Sequence, residues 1–311
     1  MLKNYIKEGQ KLPLFGVGSY IVYGAGVLGG NLASNLYWQG FAIAFGLMVW
    51  IGAYDTLFLD WVLFANMKLF RLEGTEHETC GYKNAWAKEI IDALGVDVSK
   101  YDPFLSHEGV VARTILYKNE LKRLIENYID ALCINLGCRF DDKFSQVDNG
   151  SITWFDVDLP DQIEKRRKVY SDRDRCTMLE GSALDGEWTK QLPKHDMNIV
   201  VMEGVLEYFS KDQVKTCLNM LCDSFEHGYL LAELHSPFLE KNGSHHDAVK
   251  HTNATFGWGT KSGLDYLELE PRMRLISETS YNEEMKKYSI RGKIFAIVGK
   301  NINNRLAVFE W

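Results

Sequence analysis

Ala131-Leu132-Cys133-Ile134-Asn135-Leu136-Gly137-Cys138-Arg139-Phe140-Asp141-Asp142-Lys143 is the stretch on which the reading of the fold turns. Six residues that are apolar but for Asn135 run into a glycine and then a polar segment. That is the pattern of a strand buried on both faces entering a strand-to-helix turn, where glycine lets the backbone approach a ligand closely. Further short apolar runs occur at residues 152–157, 177–179, 198–202 and 229–234, and each reads as a strand. Between them, residues 162–170 and 212–225 carry helical periodicity, the second opened by Ser210 and Gln213 in capping-box spacing. Residues 85–94 and 116–128 read as helices that precede the first strand. The alternation predicts an α/β fold with a parallel, doubly wound sheet. Residues 293–298 and 305–311 read as two strands joined by a turn at 299–303, an antiparallel hairpin at the edge of that sheet.

Bulk properties narrow the partners. The chain has 311 residues with a formal net charge of -7, so it offers no basic footprint and no nucleic-acid partner is expected. The six cysteines form no C-x-x-C pair, which argues against a zinc clamp or thiol exchange; they read as small buried residues in a reducing, cytoplasmic setting. No metal site is expected: His245, His246 and His251 cluster around Asp247 without a second group of ligands, and read as a polar loop.

Charge is absent from residues 12 to 54, although a quarter of the chain is charged. Three readings compete there. Two membrane helices at roughly 13–33 and 40–64 each have about the 20 residues a bilayer core requires. Lys3, Lys7 and Lys11 before them and Lys68 and Arg71 after them place both ends of such a hairpin in the cytoplasm. Gly24-Ala25-Gly26-Val27-Leu28-Gly29 alternatively resembles a dinucleotide fingerprint, but no acidic residue ends a second strand before Asp55. The third reading is a helical hairpin buried against protein. Residues 36–76 also resemble a small bacterial integral-membrane family through Tyr54, Asp55, Leu59, Asp60, Trp61, Gly74, Thr75 and Glu76. The expected organisation is residues 1–78 as a hydrophobic helical hairpin, with membrane association through residues 13–65, and residues 79–311 as a separate domain.

That domain carries five motifs in order. Val111-Ala112-Arg113-Thr114 precedes the first strand, and Gly137 with Asp141 comes after it. Trp154-Phe155-Asp156-Val157-Asp158-Leu159-Pro160 ends the second strand. Glu203-Gly204-Val205-Leu206-Glu207-Tyr208 ends the fourth, and Phe256-Gly257-Trp258-Gly259 lies beyond the fifth. From about Cys80 to Trp311 the chain resembles class I S-adenosylmethionine-dependent methyltransferases of the leucine carboxyl methyltransferase and polyketide O-methyltransferase family. The resemblance implies a Rossmann-like, mostly parallel seven-stranded sheet closed by a C-terminal antiparallel hairpin.

It also implies roles. Asp158 accepts the ribose hydroxyls of S-adenosylmethionine, Glu203 faces its ribose or methionyl amine, and Arg113 pairs with its carboxylate. Gly137 and Asp141 line the methionyl part, Ser182 and Ala183 the adenine. Phe256 and Trp258 wall the substrate, and Tyr208 sits near the cleft. Read from the residues alone, Asp158 also suits a helix N-cap, Arg113 a surface ion pair, and Glu203 a buried structural contact. Lys165-Arg166-Arg167-Lys168 reads as a solvated helix face. Two positions depart from the family: Arg139 stands where it has a second glycine, and Ser182 where it has an aspartate. His235, just after the fifth strand, is a candidate general base alongside Tyr208. The expected function is methyl transfer to a carboxylate or hydroxyl oxygen of a small molecule. The alternative is a binding or scaffold protein of the same fold at a membrane, impaired by Arg139 and Ser182. An oxidoreductase using residues 24–29 is a third reading.

Overall fold

The computed structural model describes residues 104–242, 255–287 and 290–311, with a short antiparallel pairing of Glu76–His77 and Tyr82–Lys83. The chain divides between Glu73 and Gly74, and the described elements all belong to the second unit. The N-terminal hydrophobic hairpin, the glycine run at 24–29, the helix expected at 85–94 and the histidines at 245, 246 and 251 lie outside the described residues. Among the described residues, no helix is long and apolar enough to cross a membrane.

Helix α1 (Phe104–Asn127) leads into β1 (Leu132–Leu136), α2 (Lys143–Val147), β2 (Thr153–Asp158), α3 (Pro160–Arg166) and β3 (Cys176–Glu180). Then come β4 (Asn198–Met202), α4 (Lys211–Ser224), β5 (Gly228–Leu234), α5 (Pro237–Asn242), α6 (Leu264–Leu267) and β6 (Arg274–Ser280). Helices α7 (Asn282–Met285) and α8 (Ile290–Val298) precede β7 (Arg305–Glu310). The sheet runs β3-β2-β1-β4-β5-β7-β6, parallel from β3 to β5 and antiparallel where β7 pairs with β5 and with β6. Strand order reverses between β1 and β4, so the crevice at their carboxyl ends is the switch point where open α/β sheets bind ligands.

Side-chain alternation divides the core into two layers. Cys133, Ile199, Val201 and Leu231 face α1 through Val111, Tyr117 and Leu121. Leu132, Ile134, Val200 and Leu230 face α4 through Val214, Leu218 and Leu221. Successive residues point to opposite faces, and helices cover both, so β1, β4 and β5 are buried along their whole length. The Ser210–Gln213 capping box opens α4 as expected.

Three readings are corrected. Residues 293–298 form the end of α8 rather than a strand, and the antiparallel partner of β7 is β6, which the sequence pattern did not mark as a strand. A short apolar run suits either period. Both edges of β7 are already occupied, by β5 and β6, leaving no ladder for another strand. Helix α3 starts at Pro160 with Leu159 in the N-cap position and ends at Arg166, so the helix is shorter than residues 162–170 suggested and Asp158 is not its cap.

The basic run is not wholly solvated either. Arg166 is buried, its Nη2 2.6 Å from Asp156 Oδ2. Asp156 also accepts from Trp154 Nε1 at 2.9 Å and from Asn135 Nδ2 at 3.1 Å. One carboxylate thus ties β1, β2 and α3 together beneath the crevice, with hydrogen bonds to offset the desolvation of the ion pair.

Candidate functional site

The turn after β1 sets the floor of the crevice. Gly137 has φ +82, and a Cβ there would stand 2.3 Å from Val205 Cγ2, so only glycine allows the turns after β1 and β4 to meet. Its N–H donates to Val157 O at 2.7 Å, which holds the turn against β2. Two residues on, Arg139 adopts φ +44, a left-handed conformation that costs an L residue roughly 1–2 kcal/mol. The turn keeps its shape because Arg139 is held at both ends of its backbone. Its N–H donates to Asp158 Oδ2 at 2.8 Å, and its carbonyl accepts from Arg166 Nη1 at 2.8 Å. Its side chain is exposed.

Asp158 ends β2 nearly buried, its Oδ1 accepting from the Leu159 N–H at 2.8 Å. Each carboxylate oxygen therefore has one internal donor and can accept further bonds. After β3, Ser182 Oγ accepts from the Leu184 N–H at 3.1 Å and Ala183 is buried. That turn is closed by Trp188, whose Nε1 donates to Ser182 O at 2.9 Å.

A charged cluster fills the space between α1, β1, β4 and β5. Arg113 reaches from α1 with Nε 2.7 Å from Glu203 Oε1 and Nη1 3.1 Å from Glu233 Oε2. Lys143 lies 2.9 Å from Glu203 Oε2 and also pairs with Asp141. Burial opposes the ionisation of Glu203, but Lys143 and Arg113 outweigh it and hold the carboxyl at about 2. Asn304 Nδ2 donates to Glu233 Oε1 at 2.7 Å. Glu207 is treated oppositely: burial and the charge of Glu233 push it up to about 8, so it carries a proton at neutral pH. Gly204, at φ +66, sits in the middle; a Cβ there would lie 3.6 Å from Arg113 Nη1, 3.7 Å from Glu207 Oε1 and 3.9 Å from Glu233 Oε2. Asp141, Glu203 and Glu233 gather around Arg113 and Lys143, and the Arg139 guanidinium also acts on Glu207.

The structure therefore brings Arg113, Gly137, Asp141, Asp158 and Glu203 to one crevice, with Ser182 and Ala183 at the neighbouring strand end. Arg113 is largely committed within the protein; among the described residues only its Nη2 makes no hydrogen bond or ion pair. The reading of Arg113 as a surface ion pair fails, because its partners come from β4 and β5.

The aromatic residues divide. Phe256 lies between His235, at 5.4 Å between ring centroids, and Tyr208, stacked at 6.0 Å. Trp258 instead stacks on Tyr266 at 5.4 Å, and Tyr266 on Phe309, which directs it at the core. The segment is fixed by main-chain bonds from Gly257 N to Glu207 O and from Trp258 N to Phe209 O, both 2.8 Å. Glu207 and Glu233 were missed in the sequence. Glu233 had a visible signal, a lone charge inside the apolar run 229–234. Glu207 stands at a position the motif leaves open.

Solved structures of known proteins share this architecture. A protein of Thermobifida fusca YX assigned as a methyltransferase aligns with TM-score 0.51 and 12% identity, covering 76% of this chain and 95% of its own. The fold is that of a methyltransferase. A magnesium protoporphyrin IX methyltransferase from Synechocystis PCC 6803, solved with bound SAH, aligns at TM-score 0.45 and 12% identity over 73% of this chain and 95% of that one. In sequence, the chain is 28% identical over 178 residues to the tetracenomycin polyketide synthesis O-methyltransferase TcmP of Streptomyces glaucescens. That alignment takes in 57% of this chain and 66% of TcmP, just under two thirds of the relative's length. No protein-family model matches the chain.

Proposed function

We propose that this chain is an O-methyltransferase that moves a methyl group from S-adenosylmethionine to an oxygen of a small molecule. The observation that carries the reading is the crevice between β1 and β4: Asp158, Glu203, Arg113 and the Gly137 turn converge there, at the switch point of a methyltransferase fold. The residues fit the cofactor. Asp158 has acceptor capacity for two vicinal hydroxyls, and Ser182 and Ala183 form the turn beside it for the adenine. Glu203, held ionised, supplies negative charge for an ammonium beside Asp141, while Arg113 Nη2 is the donor left over for a carboxylate.

When bound, that cofactor supplies an electrophilic methyl group on positive sulfur. The protein's task is then alignment: Gly137 brings the backbone close, and Tyr208 and Phe256 shape a wall for the acceptor. A flat aromatic acceptor of the polyketide kind suits the stacked Tyr208 and Phe256 rings. Arg139 does not abolish the turn, since its backbone is held in the glycine-like conformation; this favours an active enzyme over an impaired relative.

Calorimetry with S-adenosylhomocysteine on the full-length protein tests the reading. We expect saturable binding, weakened at least tenfold by Asp158→Asn. Absence of binding at millimolar ligand would exclude it.

A further inference from the structure

His235 follows β5 at the carboxyl end of the sheet and is buried, with its main-chain carbonyl accepting from Thr260 N at 3.0 Å. Its Nε2 is fully buried and has no hydrogen-bond partner among the described residues. A buried ring nitrogen left unpaired costs about 1–3 kcal/mol, so it calls for a partner that arrives from outside.

The tautomer can be read from the neighbours. The ring lies against the backbone of Gly257, which raises its proton affinity, and because Nε2 has no partner it is Nδ1 that faces that backbone. Gly257 has already spent its N–H on Glu207 O, so the group it offers is its carbonyl. A carbonyl beside Nδ1 favours the proton there, which leaves Nε2 as the lone pair. Burial lowers the imidazole's affinity for a second proton, against the pull of the Gly257 carbonyl, Glu233 on its own strand and Glu240 on α5; Arg305 on β7 adds to the lowering. Tyr208 lies across the Phe256 ring. The histidine is thus an acceptor, walled by aromatic rings.

We propose that His235 Nε2 is the general base for methylation of a hydroxyl on an aromatic acceptor that lies along Phe256 and Tyr208, an inference that rests on the methyl-transfer reading above. A carboxylate acceptor has no proton to give to the bare nitrogen. A phenol-type hydroxyl satisfies it. In the reaction the hydroxyl's proton passes to Nε2, and its oxygen bonds the methyl carbon. The carbon–sulfur electron pair stays on sulfur, leaving a neutral thioether, and the imidazolium then returns its proton to water.

The test uses full-length protein labelled with 15N-histidine. His235 is assigned by the signal lost in His235→Gln, and at pH 7.5 its Nε2 should show the shift of an unprotonated ring nitrogen. Adding 1-naphthol should move that signal, and adding 1-naphthoate should leave it in place. In methyl-transfer assays, His235→Gln and His235→Asn should lose about 100-fold or more on 1-naphthol, the range a positioned base supplies. On a nitro-substituted naphthol that is already ionised, both should lose less than fivefold. The Asn variant can still donate to Gly257, and S-adenosylhomocysteine binding within twofold of the parent certifies its fold. A protonated Nε2, a response to the carboxylate but not the phenol, or equal losses on both naphthols would overturn the inference while leaving cofactor binding intact. A parent protein that binds no S-adenosylhomocysteine sinks both readings.

Discussion

Arg139 shows how one side chain can contradict a motif without breaking the structure it serves. The family resemblance puts glycine there, and the backbone still takes φ +44. The Asp158 carboxylate on its N–H and the Arg166 guanidinium on its carbonyl impose that geometry. Arg139→Gly should therefore raise stability by about 1 kcal/mol, the left-handed penalty less the added freedom of the unfolded chain. Denaturant melts would measure it; a loss of stability would mean that the exposed arginine makes contacts worth more than the strain. Asp158 is harder to replace, because it both braces this turn and offers the remaining acceptor positions. Asp158→Asn is expected to weaken S-adenosylhomocysteine more than it lowers the melting temperature, and a purely structural Asp158 would reverse that order.

At the scale of elements, the floor of the crevice depends on the ion pair between Asp156 and Arg166, which couples β2 to α3 and, through Asn135, to β1. Replacing Arg166 with Met leaves a buried carboxylate without its cation, and should cost about 3–5 kcal/mol. Urea melts of Arg166→Met and of Asp156→Asn with Arg166→Met check this, and the double variant should recover part of the loss. The W-x-D-x-D motif thus divides between two duties. Asp156 works inward and Asp158 faces the crevice, although both lie on one side of the strand. Helix α8 illustrates a different limit: its apolar run gave no period to choose by, and the choice fell to which edges of β7 were free.

For the whole molecule, two glutamates give opposite pH signatures. Glu203 is lowered to about 2, so its contribution to stability is present above the unfolded carboxyl value near 4.5 and is lost as pH falls toward 2. Glu207 is raised to about 8, so its contribution is complete below its unfolded value and is lost as pH rises from there through about 8. Melting temperatures of Glu207→Gln and the parent, followed from pH 5 to 9, should diverge in favour of the variant as pH rises. A constant difference across that range would show that Glu207 does not titrate within it.

Much of this architecture was legible in the linear chain because it rests on local periodicity and on turn chemistry. Five apolar runs separated by amphipathic segments required a parallel sheet covered on both faces, and Gly137, Asp158, Glu203 and Arg113 marked the strand ends and the helix that meet at its crevice. Ser210 and Gln213 marked the start of α4 through an interaction spanning a single turn. What the tertiary structure alone decided involves groups distant in sequence. Arg166 was pulled out of a basic run by Asp156, residues 293–298 became a helix because both neighbours of β7 were taken, and Glu207 was kept protonated by burial beside Glu233. The orphaned Nε2 of His235 belongs with these. Whether a histidine is an acceptor or a donor depends on what its other nitrogen touches, and Gly257 lies 22 positions away in the chain.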